Sequence, residues 1–352
     1  MHVTEDDVSV RGAPFMWSSA SSPILNATAL LGINLGVALP AIALSSRITE
    51  TWYRPRKQRE LKAYVMTRSL PVTLAGIVVL MVALVVEVYA LNRVAAGRLG
   101  FCVWKAISSN AHGGQYLNIN NVRIYFETYG RGRPVLVLHG GLGSIEDMHH
   151  QIRALTKERL VIAADSRAHA RSTDSEVPLS YALMADDMIK LLDVLKIDQV
   201  DVVGWSDGGI IGLDLAMHHP DRIRRLVAIS ANYNVDGLVN KPILDAKIPP
   251  APGFYVRNAP DTEHWPVLYQ KVVTMWQTQP HYTLVDLAKI KAPVLVIAGQ
   301  FDTIKREHSD SLAKAILGSQ EVIIEGATHS VPSGQPDVVN SLILRFLDEK
   351  SP

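Results

Sequence analysis

The hexapeptide Gly204-Trp205-Ser206-Asp207-Gly208-Gly209 follows the apolar run Val200 to Val203 and precedes the helix-like stretch Ile210 to His218. A chain that passes from a buried strand straight into a helix through such a turn has few backbone conformations open to it. The serine at its apex takes strained angles, and a side chain two residues before or after it would collide with the neighbouring strand or helix. Glycine therefore stands on both flanks. A Gly-rich strand-to-helix turn also suits tight packing or phosphate binding, but a serine held at its tip is placed for covalent acyl chemistry. The surrounding segments decide between these readings.

Three of them matter. Pro134 to Leu138 reads as a buried strand running into His139-Gly140-Gly141-Leu142-Gly143, a flexible turn able to aim backbone N–H groups inward. Ala292 to Ala298 is a second buried strand, and Gly299-Gln300-Phe301-Asp302 sets a carboxylate just beyond its end. Glu321 to Ile324 leads to Gly326-Ala327-Thr328-His329, a histidine on the loop after the last strand. Ser206, Asp302 and His329 thus occur in the order nucleophile, acid, base. A serine hydroxyl needs a base to take its proton during attack; His329 would serve, and Asp302 would fix its tautomer. The oxyanion would be met by the backbone N–H groups of Gly141 and Asp207.

Taken together, the HGG turn, the Ser206 turn and the Asp302 and His329 loops resemble the α/β-hydrolase superfamily from about Gln115 to the C-terminus. The GWSDGG segment is similar to that of the valacyclovir-hydrolase-like (biphenyl-hydrolase-like) esterases. The resemblance implies a mainly parallel, doubly wound sheet, a small cap and ester hydrolysis. In those esterases the acid after the nucleophile helps recognise a substrate amino group, which would be the role of Asp207. The alternative, preferred from the sequence, is that an Asp in the first turn of a helix is favoured by the helix dipole. Segment Asp165 to Ser172 corresponds to a family loop reading D-x-R-G-H-G-x-S, with Ala168 and Ala170 where glycines are usual.

Within the hydrolase region, Tyr116 to Tyr129 reads as a hairpin turning at Asn120-Asn121. Strands are expected at 135–138, 160–164, 200–203, 226–230, 294–298 and 321–324, with helices between most of them, such as 180–195 and 308–317. That alternation implies a mainly parallel sheet covered on both faces, with the chemistry on loops at the carboxyl ends of the strands. The exception is the Pro-rich stretch from Asn232 to Lys289, whose length suggests a cap over the site at about 235–288. Its aromatic residues, Trp265 and Trp276 among them, are candidates with Trp205 for lining a substrate pocket. The alternative is that they only pack the cap onto the sheet. His139 is expected to support its turn, and Asp165 to join a structural network with Arg167 and Arg171.

The N-terminal third differs. Leu70 to Leu91 is an apolar run whose only charge is Glu87, long enough to cross a bilayer core of about 30 Å as a helix. Ile24 to Leu44 is similar but carries Asn26, Asn34 and Pro40. The connector 45–69 holds Arg47, Arg54, Arg56, Lys57, Arg59, Lys62 and Arg68 against Glu50 and Glu60. Basic residues beside spans are retained in the cytoplasm. The expectation is an N-terminal tail (1–23), a transmembrane helical hairpin (24–91), a linker (92–114) and a hydrolase domain (115–352) on the extracytoplasmic face.

Nearly half the residues are apolar and the formal net charge is +1. No basic face with interleaved aromatics points to nucleic acid. Cys102, the lone cysteine, rules out an internal disulfide, and no metal-ligand spacing is present. Neither a metal nor a cofactor is expected; the expected partners are a small-molecule ester and, through the N-terminal helices, the lipid bilayer. A non-catalytic ligand receptor on the same fold would often have lost a triad member, whereas all three are present here. Lactone, amide or C–C bond hydrolysis and acyl transfer remain open to the same triad.

Overall fold

The computed structural model describes residues 97, 99–106, 111–240 and 247–349. The chain divides into two compact units, residues 17–99 and residues 1–16 with 100–352, and the described residues belong almost wholly to the second. Both apolar runs, 24–44 and 70–91, and the basic connector lie outside the described residues. Among the described residues no helix is long and apolar enough to cross a membrane.

The strands are β1 (Ala111–Ile119), β2 (Val122–Tyr129), β3 (Arg133–Leu138), β4 (Arg159–Ala164), β5 (Val200–Trp205), β6 (Ile223–Ile229), β7 (Val294–Phe301) and β8 (Gln320–Thr328). They form one sheet in the order β1-β2-β4-β3-β5-β6-β7-β8. β2 is antiparallel to both β1 and β4, and every other pairing is parallel. The β1–β2 hairpin turns at Asn120 and Asn121, both with positive φ (48° and 63°). A two-residue turn of matching twist requires this, and Asn tolerates it.

The longer helices among the described residues are α1 (residues 99–106), α2 (His149–Leu155), α3 (Tyr181–Val194), α4 (Asp207–His218), α5 (Gly253–Asn258), α6 (Trp265–Thr278), α7 (Arg306–Ala315) and α8 (Pro336–Asp348); single turns lie at Leu284–Leu287 and Val331–Gly334. Ser180 caps α3 by accepting from the Leu183 N–H, satisfying one amide that the first turn leaves without a partner. Alternate strand residues point to opposite faces, and in β3 this sends Leu136 and Leu138 to the layer with α3, α4, α7 and the cap. Val135 and Val137 go to the other layer, with α2 and α8. Burial on both faces explains why the parallel strands read as unbroken apolar runs.

Part of the stretch read as a linker packs onto the domain instead. Phe101 of α1 is fully buried, stacks on Trp104 at 5.6 Å and tilts against Tyr129 and His149. Lys105 reaches Glu127 at 3.0 Å and Glu146 at 3.4 Å. Residues three and four apart share a helix face, so Phe101, Trp104 and Lys105 dock together. β1 likewise begins at Ala111, within the same stretch.

Between β6 and β7 the chain leaves the sheet, and α5 and α6 lie on this excursion. Its two ends meet where Asn234 pairs with His281, which closes the cap at its base. Residues 241–246 of the excursion lie outside the described residues.

Candidate active site

Ser206 sits between β5 and α4 with φ 53° and ψ −118°, a region that costs a non-glycine residue about 1–3 kcal/mol. Its flanks show why the glycines are needed. A Cβ on Gly204 would lie 2.1 Å from the Gly208 carbonyl oxygen, and one on Gly208 would lie 2.4 Å from that of Leu138. Gly209 is closed in by the Ala231 methyl, 2.8 Å from where its Cβ would stand.

The turn brings the Ser206 Oγ within 3.0 Å of His329 Nε2, and His329 Nδ1 lies 2.7 Å from Asp302 Oδ1. Asp302 stands just past the end of β7 and His329 just past the end of β8, so three loops at the carboxyl edge of the sheet supply the three groups. Asp302 also accepts the Ser230 hydroxyl (2.6 Å) and the backbone N–H groups of Gly299 (3.2 Å) and Ile304 (3.1 Å). Burial alone would raise the Asp302 carboxyl, but the hydrogen bonds and charge of His329 and the bond from Ser230 outweigh it and hold the carboxyl below its ordinary range. An ionised Asp302 accepts from Nδ1–H, which leaves Nε2 to face the serine hydroxyl. The Trp205 indole N–H donates to the His329 carbonyl oxygen at 2.9 Å. Trp205 therefore braces the His329 loop.

Opposite the nucleophile lies the turn after β3. His139 is fully buried, and burial lowers its pKa. Its Nδ1 lies 2.7 Å from the Gly140 carbonyl oxygen and its Nε2 accepts from the Ser166 N–H at 2.9 Å. The ring is thus the neutral Nδ1–H tautomer, with both nitrogens spent on structure. A Cβ on Gly141 would meet Asp207 Oδ2 at 2.4 Å and the Trp276 ring at 2.5 Å, so the Gly141 backbone lies directly against the floor of the site. Asp207 is the first residue of α4, where the amide has no intrahelical acceptor and the dipole is positive.

The Asp207 side chain does more than its place in the first turn predicts. It accepts from the Trp276 indole N–H (2.8 and 3.0 Å to its two oxygens) and from the Tyr181 hydroxyl (3.1 Å). Burial pushes its carboxyl up to about 6, against the pull of Trp276, Tyr181 and His329. Sequence reasoning missed Tyr181 and Ser230; their only signals were a place beside the Ser180 cap and at the carboxyl end of β6.

Of the three tryptophans offered as pocket candidates, Trp276 alone contacts Asp207. Trp265 is buried within the cap, donating to the Pro249 carbonyl oxygen (2.7 Å) and packing on Tyr255 and Tyr269. Asp165 is structural, accepting the Ile145 N–H at 2.9 Å and pairing with Arg171 at 3.2 Å. Arg171 also pairs with Glu146 at 2.5 Å. The expected tie to Arg167 is absent, because that guanidinium is taken bidentately by Asp187 of α3 (2.7 and 2.8 Å). Ala168 and Ala170 keep positive φ (66° and 43°). The glycine-type loop path survives with alanines in it.

A family profile described as alpha/beta hydrolase fold matches residues 133–257, and one described as Serine hydrolase (FSH1) matches residues 196–340. The chain is 30% identical to RutD of Azorhizobium caulinodans over 68% of its own length and 98% of that protein's. It is 30% identical to the serine hydrolase BPHL of Homo sapiens over 66% of its own length and 81% of that protein's. Among solved structures it is similar to a hydrolase from Pseudomonas aeruginosa, with a TM-score of 0.54 and 25% identity, covering 68% of this chain and all of that one. With its sheet order, its Ser206 turn and these relatives, the chain belongs to the serine hydrolases of the α/β-hydrolase fold.

Proposed function

We propose that the chain is a membrane-anchored serine esterase that cleaves small or medium carboxylic esters through an acyl-enzyme at Ser206. The observation that carries the chemistry is the unbroken hydrogen-bonded line from Ser206 Oγ through His329 to Asp302. As Oγ attacks the ester carbonyl carbon, His329 Nε2 takes its proton, and Asp302 steadies the resulting imidazolium. The carbonyl oxygen becomes an oxyanion facing the N–H groups of Gly141 and Asp207, where a single donor is worth roughly 2.7–4 kcal/mol. The tetrahedral centre collapses, the C–O bond to the alkoxide breaks, and His329 delivers the proton to the leaving oxygen. Water then repeats the sequence on the acyl-enzyme, releasing the acid and restoring Ser206.

Anchoring rests on the apolar runs 24–44 and 70–91, and the orientation on the basic connector between them, which would leave the hydrolase unit on the extracytoplasmic side. Lactones, amides, C–C bonds and acyl transfer are served by the same triad. Carbamates join this set because RutD is provisionally named a carbamate hydrolase.

A second reading, that the preferred ester carries an amino group on its acyl side, is favoured by Asp207. It is a buried carboxylate beside the nucleophile, and among the described residues its side-chain hydrogen-bond donors, Trp276 and Tyr181, are neutral. A substrate ammonium would supply the missing cation. The test is an ester panel, simple acyl against aminoacyl, run beside fluorophosphonate labelling of the purified full-length protein. Fluorophosphonate labelling without turnover of any ester would refute the esterase reading.

A further inference from the structure

A cleft of about 350 Å³ opens on the side of the sheet that packs α2 and α8, away from the cap. It is lined by Trp104 of α1, by His150, Arg153 and Ala154 of α2, by Thr156 and Lys157 just after that helix, and by Asn340 of α8. Two obligate cations, Arg153 and Lys157, line it, and none of the lining residues carries a carboxylate. On a chain whose formal net charge is only +1, this is a local concentration of positive charge. Arg153 and Lys157 are exposed, and among the described residues neither forms an ion pair. They are therefore open to an anion from outside.

Two observations say which anion. Trp104 is half-buried, its ring fixed on Phe101 and Tyr129, and an indole with one dry and one wet side suits the headgroup level of a bilayer. The outward face of α1 is apolar, with Cys102, Val103 and Ala106 all exposed and Val103 51% accessible. Only residues 92–98 separate the second apolar run from α1 in sequence, so few that they can reach at most about 25 Å. If that run spans the bilayer, α1 and the cleft are held near its surface.

We infer that α1 and the Arg153–Lys157 cleft form a membrane-facing surface whose cleft takes the phosphate headgroup of an anionic phospholipid. The inference deepens the anchored reading and rests on it. Val103 and its neighbours would enter the interface, while Arg153 and Lys157 would reach the phosphate oxygens; Arg in particular offers a planar, two-pronged match to them. The domain would then be held in one orientation against the bilayer.

The test uses full-length protein in neutral detergent, its thermal unfolding followed with added phosphatidylglycerol, phosphatidylcholine or inorganic phosphate. Phosphatidylglycerol should raise the Tm of the wild type by mass action, and added salt should weaken the effect. Phosphatidylcholine or inorganic phosphate at matched concentration should do so far less. The Arg153→Ala/Lys157→Ala protein should lose the phosphatidylglycerol shift while its Ser206 still labels with fluorophosphonate. The inference is overturned by an absent shift in the wild type, by an equal shift in the double variant, or by inorganic phosphate reproducing the shift. An alkaline carbonate wash of membranes tests the anchor separately. Release of the chain refutes the anchored reading, and a persisting phosphatidylglycerol shift would then leave the cleft as a peripheral lipid site.

Discussion

The indole N–H of Trp276 donates to both carboxylate oxygens of Asp207, at 2.8 and 3.0 Å, and so fastens the cap to the residue that follows the nucleophile. A hydrogen bond to a charged group is worth about 1.5–3 kcal/mol. Trp276→Phe keeps most of the packing and removes the donor. We expect kcat/KM to fall about tenfold or more, with much of the loss in KM, while fluorophosphonate still labels Ser206. Unchanged steady-state kinetics would show that this contact does not hold the cap in its working position.

The same carboxylate separates the two substrate readings. Asp207→Asn removes the charge with little change of shape. If Asp207 pairs with a substrate ammonium, the variant should lose at least tenfold more kcat/KM on an aminoacyl ester than on a simple acyl ester of equal size, the least expected when a buried ionic partner is lost. Equal losses on the two esters would confine Asp207 to holding Trp276 and Tyr181.

Stability should carry a pH signature of this residue. Burial lifts the Asp207 carboxyl to about 6 from an ordinary value of 3.8. The ionised form therefore opposes folding, and its cost is fully present above the folded value. It is relieved as pH falls from about 6 towards 3.8, and it amounts to about 3 kcal/mol for a gap of roughly two pKa units. Asp302 acts in the opposite sense, because its folded value is held below 3.8. The stability it contributes is fully present above 3.8 and is lost as pH falls from 3.8 through the folded value, outside the Asp207 window. Relative to Asp207→Asn, the wild type should gain stability in urea unfolding as pH drops from about 8 to about 5. A difference that stays flat across this range would contradict the raised pKa.

Orientation in the membrane has its own check. Alkaline phosphatase fused to the C-terminus should be active in cells if the basic connector stays in the cytoplasm. A fluorescent protein at the same position that glows in the cytoplasm, with a silent phosphatase fusion, would reverse the topology.

Much of the site was legible because its constraints are steric and local. Gly204 and Gly208 flank Ser206 since any Cβ there would meet backbone oxygen within 2.4 Å, and such a requirement is written directly into residue spacing. The chain order of Ser206, Asp302 and His329 follows from strands whose apolar runs are plain, and the observed β3 to β8 overlap the expected ones. What the sequence did not disclose depends on side chains meeting from distant elements. Tyr181 and Trp276 reach Asp207 from α3 and from the cap, and Ser230 reaches Asp302 from just past the end of β6. Arg167 is near Asp165 in sequence but bonds Asp187 on the helix that follows. Likewise, α1 looked like a tether because Phe101, Trp104 and Lys105 show their shared face only once Tyr129 and Glu127 are in place to receive them.

In the proposed chemistry Ser206, activated by His329, forms the acyl-enzyme. Intact-mass analysis of the full-length protein, quenched during turnover of a slow ester, tests it most directly. The wild type should gain the mass of the acyl group at Ser206, and Ser206→Ala should gain none. His329→Ala should accumulate acyl-enzyme at least about a hundredfold more slowly, the least that general-base activation is worth. An adduct that persists in Ser206→Ala, or ester turnover in that variant above about a tenth of wild type, would contradict the account.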